Sequence, residues 1–212
     1  MSSTQGPGGG FVDFDVSCHP FVVEALVSGR LRHTSRADLV ASVQPDPVAV
    51  ARCASDLSRQ EWTPGDPTDP RWLLREGTWA RHLVGGCVAR GELPDPVDLA
   101  RLVSGMRSVR IRDAAWSLIS PETALDQVAF WRALVRQVPD HYLPAPAILL
   151  GWAAWQAGDG ALAWVAVDRC VGVDPHYALA EALGSILQRA VPPESWEPGF
   201  DWTIGLPSEG LL

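Results

Sequence analysis

The sequence predicts an all-α protein, a bundle of helical hairpins, on two observations. Asp46-Pro47, Asp69-Pro70, Asp95-Pro96, Ser120-Pro121 and Asp174-Pro175 each stand directly before an apolar run of helical period. Asp or Ser at a helix N-cap accepts hydrogen bonds from the unpaired N–H groups of the first turn. Pro at the first helical position loses nothing, because its missing N–H would have no partner there. Strand-like alternation, by contrast, appears only briefly, at FVDFDV (11–16) and WTIG (202–205).

The opening MSSTQGPGGG is small, polar and glycine-rich, which predicts a mobile leader over 1–16. An all-helical domain is expected over 17–193. Its first helix, Pro20 to Ser28, gathers Val22, Val23, Leu26 and Val27 and stops at Gly29. Ser35 to Val43 begins with the Ser35–Asp38 spacing of a capping box. Pro47 to about Gln60 places Val50, Ala54 and Leu57 together, and TPGDPTDP (63–70) is the longest turn-rich connection. Pro70 to Arg90 stacks Trp72, Trp79, Leu83 and Cys87, against the weakening effect of Gly77 and Gly85-Gly86. Pro96 to Met106 and Val109 to Ile119 read as two helices or one kinked helix. Pro121 to Val138 is the cleanest amphipathic run, with Leu125, Val128, Trp131, Leu134 and Val135 on its apolar side. No helix continues past Pro192-Pro193, so 194–212 is an irregular, Trp-containing tail.

Composition narrows the function classes. The 17 cationic residues are all Arg, with no Lys or Asn in the chain, a skew that suggests a GC-rich, actinobacterial genome. The net charge of −8 repels phosphate backbones, so no nucleic-acid partner is expected. The densest basic cluster, RSVRIRD (107–113), sets Arg107 and Arg110 on one helical face and reads as a solvated surface. A membrane span needs roughly 18 uninterrupted apolar residues, and the best run, Ala145 to Trp155, ends at Gln156. No membrane partner is expected. The four cysteines, Cys18, Cys53, Cys87 and Cys170, are scattered, and the N-terminus shows no secretion signal. Both observations point to reduced thiols in a cytoplasmic protein.

Between Pro146 and Ala190 the pattern is helix, Gly-Asp turn, helix, Asp-Pro turn, helix. Leu150-Gly151, Ala154, Gly158-Asp159, Ala163, Val167, Cys170 and Asp174-Pro175 fall in the order and spacing of a tetratricopeptide repeat, which the segment resembles. Ala147 and Ala154 depart from it where large aromatics are usual, and Val167 where Phe or Tyr is usual. One such repeat cannot bury its own faces and about three make a free-standing array. A single tetratricopeptide-like hairpin over 146–190, joined to a helical domain, is therefore expected.

The same region, LLGWAAWQAGDGALAWVAVDRCVGVDPHYALAEAL with the later VPPESWEP, resembles the C-terminal part of the actinobacterial family called domain of unknown function 4192. VVEALVSGRLRHTSRADLVASVQPDPVAVAR and SVRIRDAAW resemble that family's middle. The resemblance runs from about Pro20 to Pro198 and lacks the family's mixed α/β N-terminal half, which implies a short member or a fragment. It implies no catalytic residue, no cofactor and no metal.

Candidate sites are few. Cys18-His19 is the one adjacent thiol–imidazole pair, but sequence neighbours usually point apart and no orienting group is evident. His33, His82, His141 and His176 lack metal-ligand spacing, and His141 and His176 sit beside turns. Asp13 and Asp15 share a strand face without further acidic partners, and GPGGG lacks the preceding strand and Lys of a phosphate loop. The strongest candidates are apolar. Aligned on the repeat, Ala145, Ile148, Trp152, Trp155 and Gln156 form the stripe that would face a binding groove, unless it packs on the preceding helix. Trp196, Phe200 and Trp202 in the tail either fold back over the bundle or form an arm that docks on a partner.

The expected function is a non-enzymatic protein-interaction or scaffold protein. It would bind a polypeptide, or a second copy of itself, through Ile148, Trp152, Trp155, Gln156, Trp196, Phe200 and Trp202. The alternative is an enzyme or enzyme subunit built on the acidic residues or on Cys18-His19.

Overall fold

The computed structural model of the protein describes residues 35–59, 65–197 and 199–207. The leader, the predicted helix Pro20 to Ser28, FVDFDV, Asp13, Asp15 and Cys18-His19 all lie outside the described residues. The chain divides into two compact units, Met1–Asp38 and Leu39–Leu212.

The described protein is all-α, with no strand among the described residues. Helices α1 (Arg36–Ser42), α2 (Pro47–Arg59), α3 (Pro70–Arg90), α4 (Pro96–Gly105) and α5 (Val109–Trp116) come first. They are followed by α6 (Ala124–Val135), α7 (Pro144–Gln156), α8 (Gly160–Val171) and α9 (Ala178–Gln188). Single 3-10 turns at Asp140–Tyr142 and Pro193–Ser195 precede α7 and follow α9. WTIG is a series of turns.

Three of the five Asp/Ser-Pro starts open helices at the predicted residue. Asp46 accepts from the N–H groups of Val48 and Ala49, Asp69 from Arg71, and Asp95 from Val97 and Asp98. The other two start later, because side chains hold the backbone in turns. Thr123 Oγ1 accepts from the Ser120 N–H at 3.0 Å and donates to the Leu118 carbonyl at 2.9 Å, so α6 begins at Ala124. Asp174 caps the His176 N–H, and Tyr177 is extended (φ −68°, ψ 106°), so α9 begins at Ala178. At α1, Ser35 Oγ accepts from the Asp38 N–H and donates to its carboxylate, as the capping-box spacing predicted.

Helix α3 runs unbroken through Gly77 and Gly85-Gly86 and ends at Gly91, whose φ of 67° is the left-handed conformation a C-cap demands. The segment after Pro96 resolves into two helices, with Ser108 extended between them. On α2 the buried residue is Cys53, flanked by half-buried Val50 and Leu57, while Ala54 is exposed. Leu125 also departs from the predicted apolar face of α6: it is exposed, and Gln127 is buried in its place. Gln127 is tolerated there because its Oε1 accepts from Trp131 Nε1 at 2.8 Å.

The core centres on α7. Every residue from Ala145 to Gln156 is buried, with α6, α8, α9 and both 3-10 turns packed around the helix. A helix that is apolar on all sides has no stable place except inside. Its small residues set the spacing. A Cβ on Gly151 would meet Leu183 Cδ2 at 3.0 Å, Ala166 Cβ at 3.3 Å and the Ala163 carbonyl at 3.4 Å. Cys170 of α8 is free, as predicted for the thiols, and fully buried. Elsewhere α4 is tied to α3 by a forked Arg101–Glu76 ion pair at 2.8 Å, with the guanidinium lying 3.9 Å over the Trp79 ring.

The two buried glycines of this hairpin region predict opposite outcomes. Gly151→Leu overfills the α7–α8–α9 contact and is expected to cost about 1–3 kcal/mol. Gly184→Ala places its Cβ at an ordinary 3.9 Å from Trp164 and removes a glycine from a helix interior. It is expected to be neutral or to stabilise by up to about 1 kcal/mol. Urea denaturation of the two variants measures both.

Candidate functional site

The stripe expected to face a groove lies inside the protein. Ile148 and Trp152 are fully buried and Trp155 and Gln156 nearly so, because α6 and α8 flank α7 while the tail closes over its C-terminal half. Trp152 meets the rings of Trp116 at 4.7 Å, Trp196 at 4.9 Å and Trp155 at 5.3 Å, all edge-on. Trp155 Nε1 donates to the Val191 carbonyl at 3.0 Å. Neither Trp152 Nε1 nor the Gln156 amide finds a partner among the described residues. The packing alternative is therefore the arrangement adopted: this stripe is core.

The tail folds back. Trp196 and Phe200 lie against Trp116 with ring centroids 5.7 and 4.6 Å away. Trp202 is buried against Leu74 and Ala114, and its carbonyl accepts from Arg110 Nη1 at 3.3 Å. Its ring occupies the space a Cβ on Gly77 would need. The cluster RSVRIRD is thus no common basic face. Arg107 lies in the turn before α5, Arg110 holds the tail, and Arg112 is buried.

With the aromatics inside, one concave feature of the described surface lies where three turns meet. The end of α4 supplies Val103 and Met106, both buried, and exposed Arg107 beyond them. The 3-10 turn before α7 supplies His141 and Tyr142, followed by Pro144 and Ala145. The connection from α8 to α9 supplies Val173, Asp174 and Tyr177. Together they border an open cavity of about 300 Å³. That is at the small end of the range in which proteins hold ligands. Val103, Met106 and Ala145 back it from the core, each almost fully buried, and Arg107, His141 and Asp174 bring polar groups of both charges to it.

One wall is held from within. Arg112 donates to the Tyr177 phenol oxygen at 3.2 Å and to Asp113 at 2.6 and 2.9 Å. Burial pushes the Tyr177 phenol above its ordinary pKa, against the opposing pull of Arg112, so it stays protonated. Asp174 Oδ1 accepts from the His176 N–H, and no hydrogen bond or ion pair engages the Arg107 guanidinium among the described residues. Sequence reasoning placed His141 beside a turn but missed Arg107, Tyr142 and Tyr177. The one available signal was that Met106-Arg107, Asp140-His141 and Asp174-Pro175 all fall at helix ends.

Comparison with known proteins identifies the lineage. The model of the family described as Domain of unknown function (DUF4192) matches residues 4–194. The chain belongs to this family. No curated protein and no solved structure matches it. The DUF4192 match includes every residue that lines the cavity and stops short of Trp196.

The chemistry of this DUF4192 chain at the described thiols is quiet. Cys53, Cys87 and Cys170 are free and buried. Burial, reinforced by Asp56, pushes the Cys53 thiol up to about 11. Burial and Asp174 push Cys170, which lies close to the cavity wall, up to about 12. Protonated thiols are poor nucleophiles. Among the described residues no group of three or more His, Cys, Asp or Glu could hold a metal ion. No helix among them is long and apolar enough to cross a membrane.

Two outcomes are expected. Gly77→Ala, which at an open helix position would stabilise by up to about 1 kcal/mol, should instead lower the melting temperature by expelling Trp202. Chymotrypsin should then cleave after Trp202 much faster than in the parent. For the thiols, folded pKa values are raised, so their contribution to stability is complete below the ordinary value of 9.0 and is lost as pH rises toward 11 and 12. Stability should therefore fall across that alkaline window. The fall should be shallower in a Cys53→Ala/Cys170→Ala variant, as denaturant titrations at successive pH values would record.

Proposed function

We propose that this chain is a non-enzymatic protein-interaction module that binds a polypeptide partner at the cavity between α4, the 3-10 turn before α7 and the α8–α9 connection. The observation that carries the reading is the cavity itself, which sets the buried side chains Val103, Met106 and Ala145 beside the polar groups of Arg107, His141 and Asp174. That combination suits a side chain anchored in a pocket with its backbone at the edge. The neutral thiols nearby favour binding over covalent catalysis. The hairpin of α7 and α8 is taken as tetratricopeptide-like, which the close approach at Gly151 supports. The partner then meets the end of the hairpin, since its inner stripe is occupied by the chain's own tail. Reduced, buried cysteines favour a cytoplasmic setting.

An array of random-sequence peptides, including free C-termini, tests the reading. Val173, at the cavity mouth and partly exposed, is replaced by Trp to fill the space from outside the core. A set of peptides should bind the parent chain and be lost with Val173→Trp, while circular dichroism and melting temperature stay unchanged. If every bound peptide is retained by the folded variant, the cavity is not the binding site and the reading fails.

A further inference from the structure

We propose that the apolar notch between α3 and α5 is an exchangeable docking site, able to take residues 199–207 of a second copy of the chain in place of its own. The notch shares no residue with the cavity.

The notch belongs to the helical body, and its filler stands apart from that body. Leu74 and Gly77 of α3 and Ala114 of α5 line it, and the Trp202 ring lies where a Cβ on Gly77 would be. Leu74, Ala114 and Trp202 form a small cluster of their own, to which Phe200 and Leu206 add partial cover. The notch lies within the residues 4–194 that match the family, and the arm, 199–207, lies after them. Order within the arm is local. Asp201 Oδ1 accepts from the Thr203 N–H at 2.9 Å, and the Leu206 N–H donates to the Thr203 carbonyl at 2.8 Å. Gly199 and Gly205 take left-handed backbone, with φ of 84° and 82°, so the chain turns on either side of the ring. Among the described residues one hydrogen bond, from Arg110 Nη1 to the Trp202 carbonyl, ties the arm to the body. A large ring in a fitted notch, with few polar ties around it, is the anatomy of an anchor between separate chains.

Left bare, Leu74 and Ala114 would be apolar surface, so the notch needs a cover. An arm from a second copy makes the same contacts, because the two arms are identical in sequence. Exchange of an identical element is a low-cost route to a dimer. What favours the chain's own arm is its effective concentration, on the order of millimolar for a short tether. Taking that advantage away exposes the site to a second copy.

The test uses full-length variants. Trp202→Ala disables the arm and keeps the notch, and Gly77→Ala blocks the notch and keeps the arm. Ala114→Leu, which fills the same notch from α5, is the alternative arm donor if Gly77→Ala does not fold. Mixed in equal amounts, Trp202→Ala and the arm donor should form a one-to-one heterodimer in native mass spectrometry, which neither forms alone. A fluorescein-labelled peptide of residues 199–207 should bind Trp202→Ala at least about tenfold more tightly than the parent, whose own arm competes. Replacing the peptide's Trp by Ala should weaken binding about tenfold or more. If the peptide fails to bind Trp202→Ala, or binds the parent equally well, the notch is no docking site. If the peptide binds as expected but no heterodimer forms, a second copy is not the occupant and the proposal fails. Loss of helix in Trp202→Ala by circular dichroism would make the arm part of the core and overturn it as well.

Discussion

The burial of α7 on all sides is the constraint from which the rest of the structure follows. From Ala145 to Gln156 this helix has no polar side chain except Gln156. At 13 residues it is also too short to span a bilayer, so it must be wrapped by protein. Its neighbours are placed by its side-chain sizes. Gly151 lets α8 come close, and the bulk of Trp152 and Trp155 is met by Trp116 and the tail. The last side of the helix is covered by residues after Pro192, where no regular helix can run. An irregular segment with Trp196 and Phe200 fits there because it can lay rings flat or edge-on without a helical register.

The same constraint decides where a site can be. The sides of α7 are occupied, and its C-terminal half is closed by the bond from Trp155 to the Val191 carbonyl and by the Trp116–Trp196 stack. What stays open is the other end, where α7 begins at Pro144 and the α8–α9 connection returns beside it. Helix ends in a bundle carry polar turn residues over an apolar interior. A cavity there inherits both, which is why Met106 and Arg107, adjacent in sequence, line it as a buried apolar residue and an exposed cation.

Much of the fold was legible in the sequence, for reasons that also explain the errors. Asp-Pro before an apolar run reports local chemistry, and it located α2, α3 and α4 to the residue. The two late starts, at Ala124 and Ala178, come from Thr123 bonding back to Leu118 and from Tyr177 reaching Arg112, and the second of these contacts is long-range. The direction of α7's Trp stripe was not legible at all. Where every face is apolar, periodicity carries no information about which side meets which neighbour. Arg107 and Arg110 were misread because i, i+3 spacing puts residues on one face only inside a helix, and Ser108 breaks the helix between them. The cavity was hidden for a related reason: its three walls are some 30 residues apart in sequence, and no local pattern reports that they converge.

That convergence is maintained by a buried charge. Arg112 is almost fully buried on α5, and a buried cation adds little net stability even when paired, because desolvation offsets most of the attraction. Its partners show what it does instead. Asp113 fixes two guanidinium nitrogens, and the third reaches across to the Tyr177 phenol at the far wall of the cavity. With the Nε–Nη2 edge committed to Asp113, the plane of the guanidinium is set and Nη1 faces Tyr177. Tyr177, extended at the N-cap of α9, is thereby tied to α5 at 3.2 Å just before the helix begins at Ala178. An apolar side chain at position 112 could fill the same volume, but it would set neither the angle of the Tyr177 ring nor the length of the connection. The position of one cavity wall thus depends on a side chain in the core rather than on the turn that forms it.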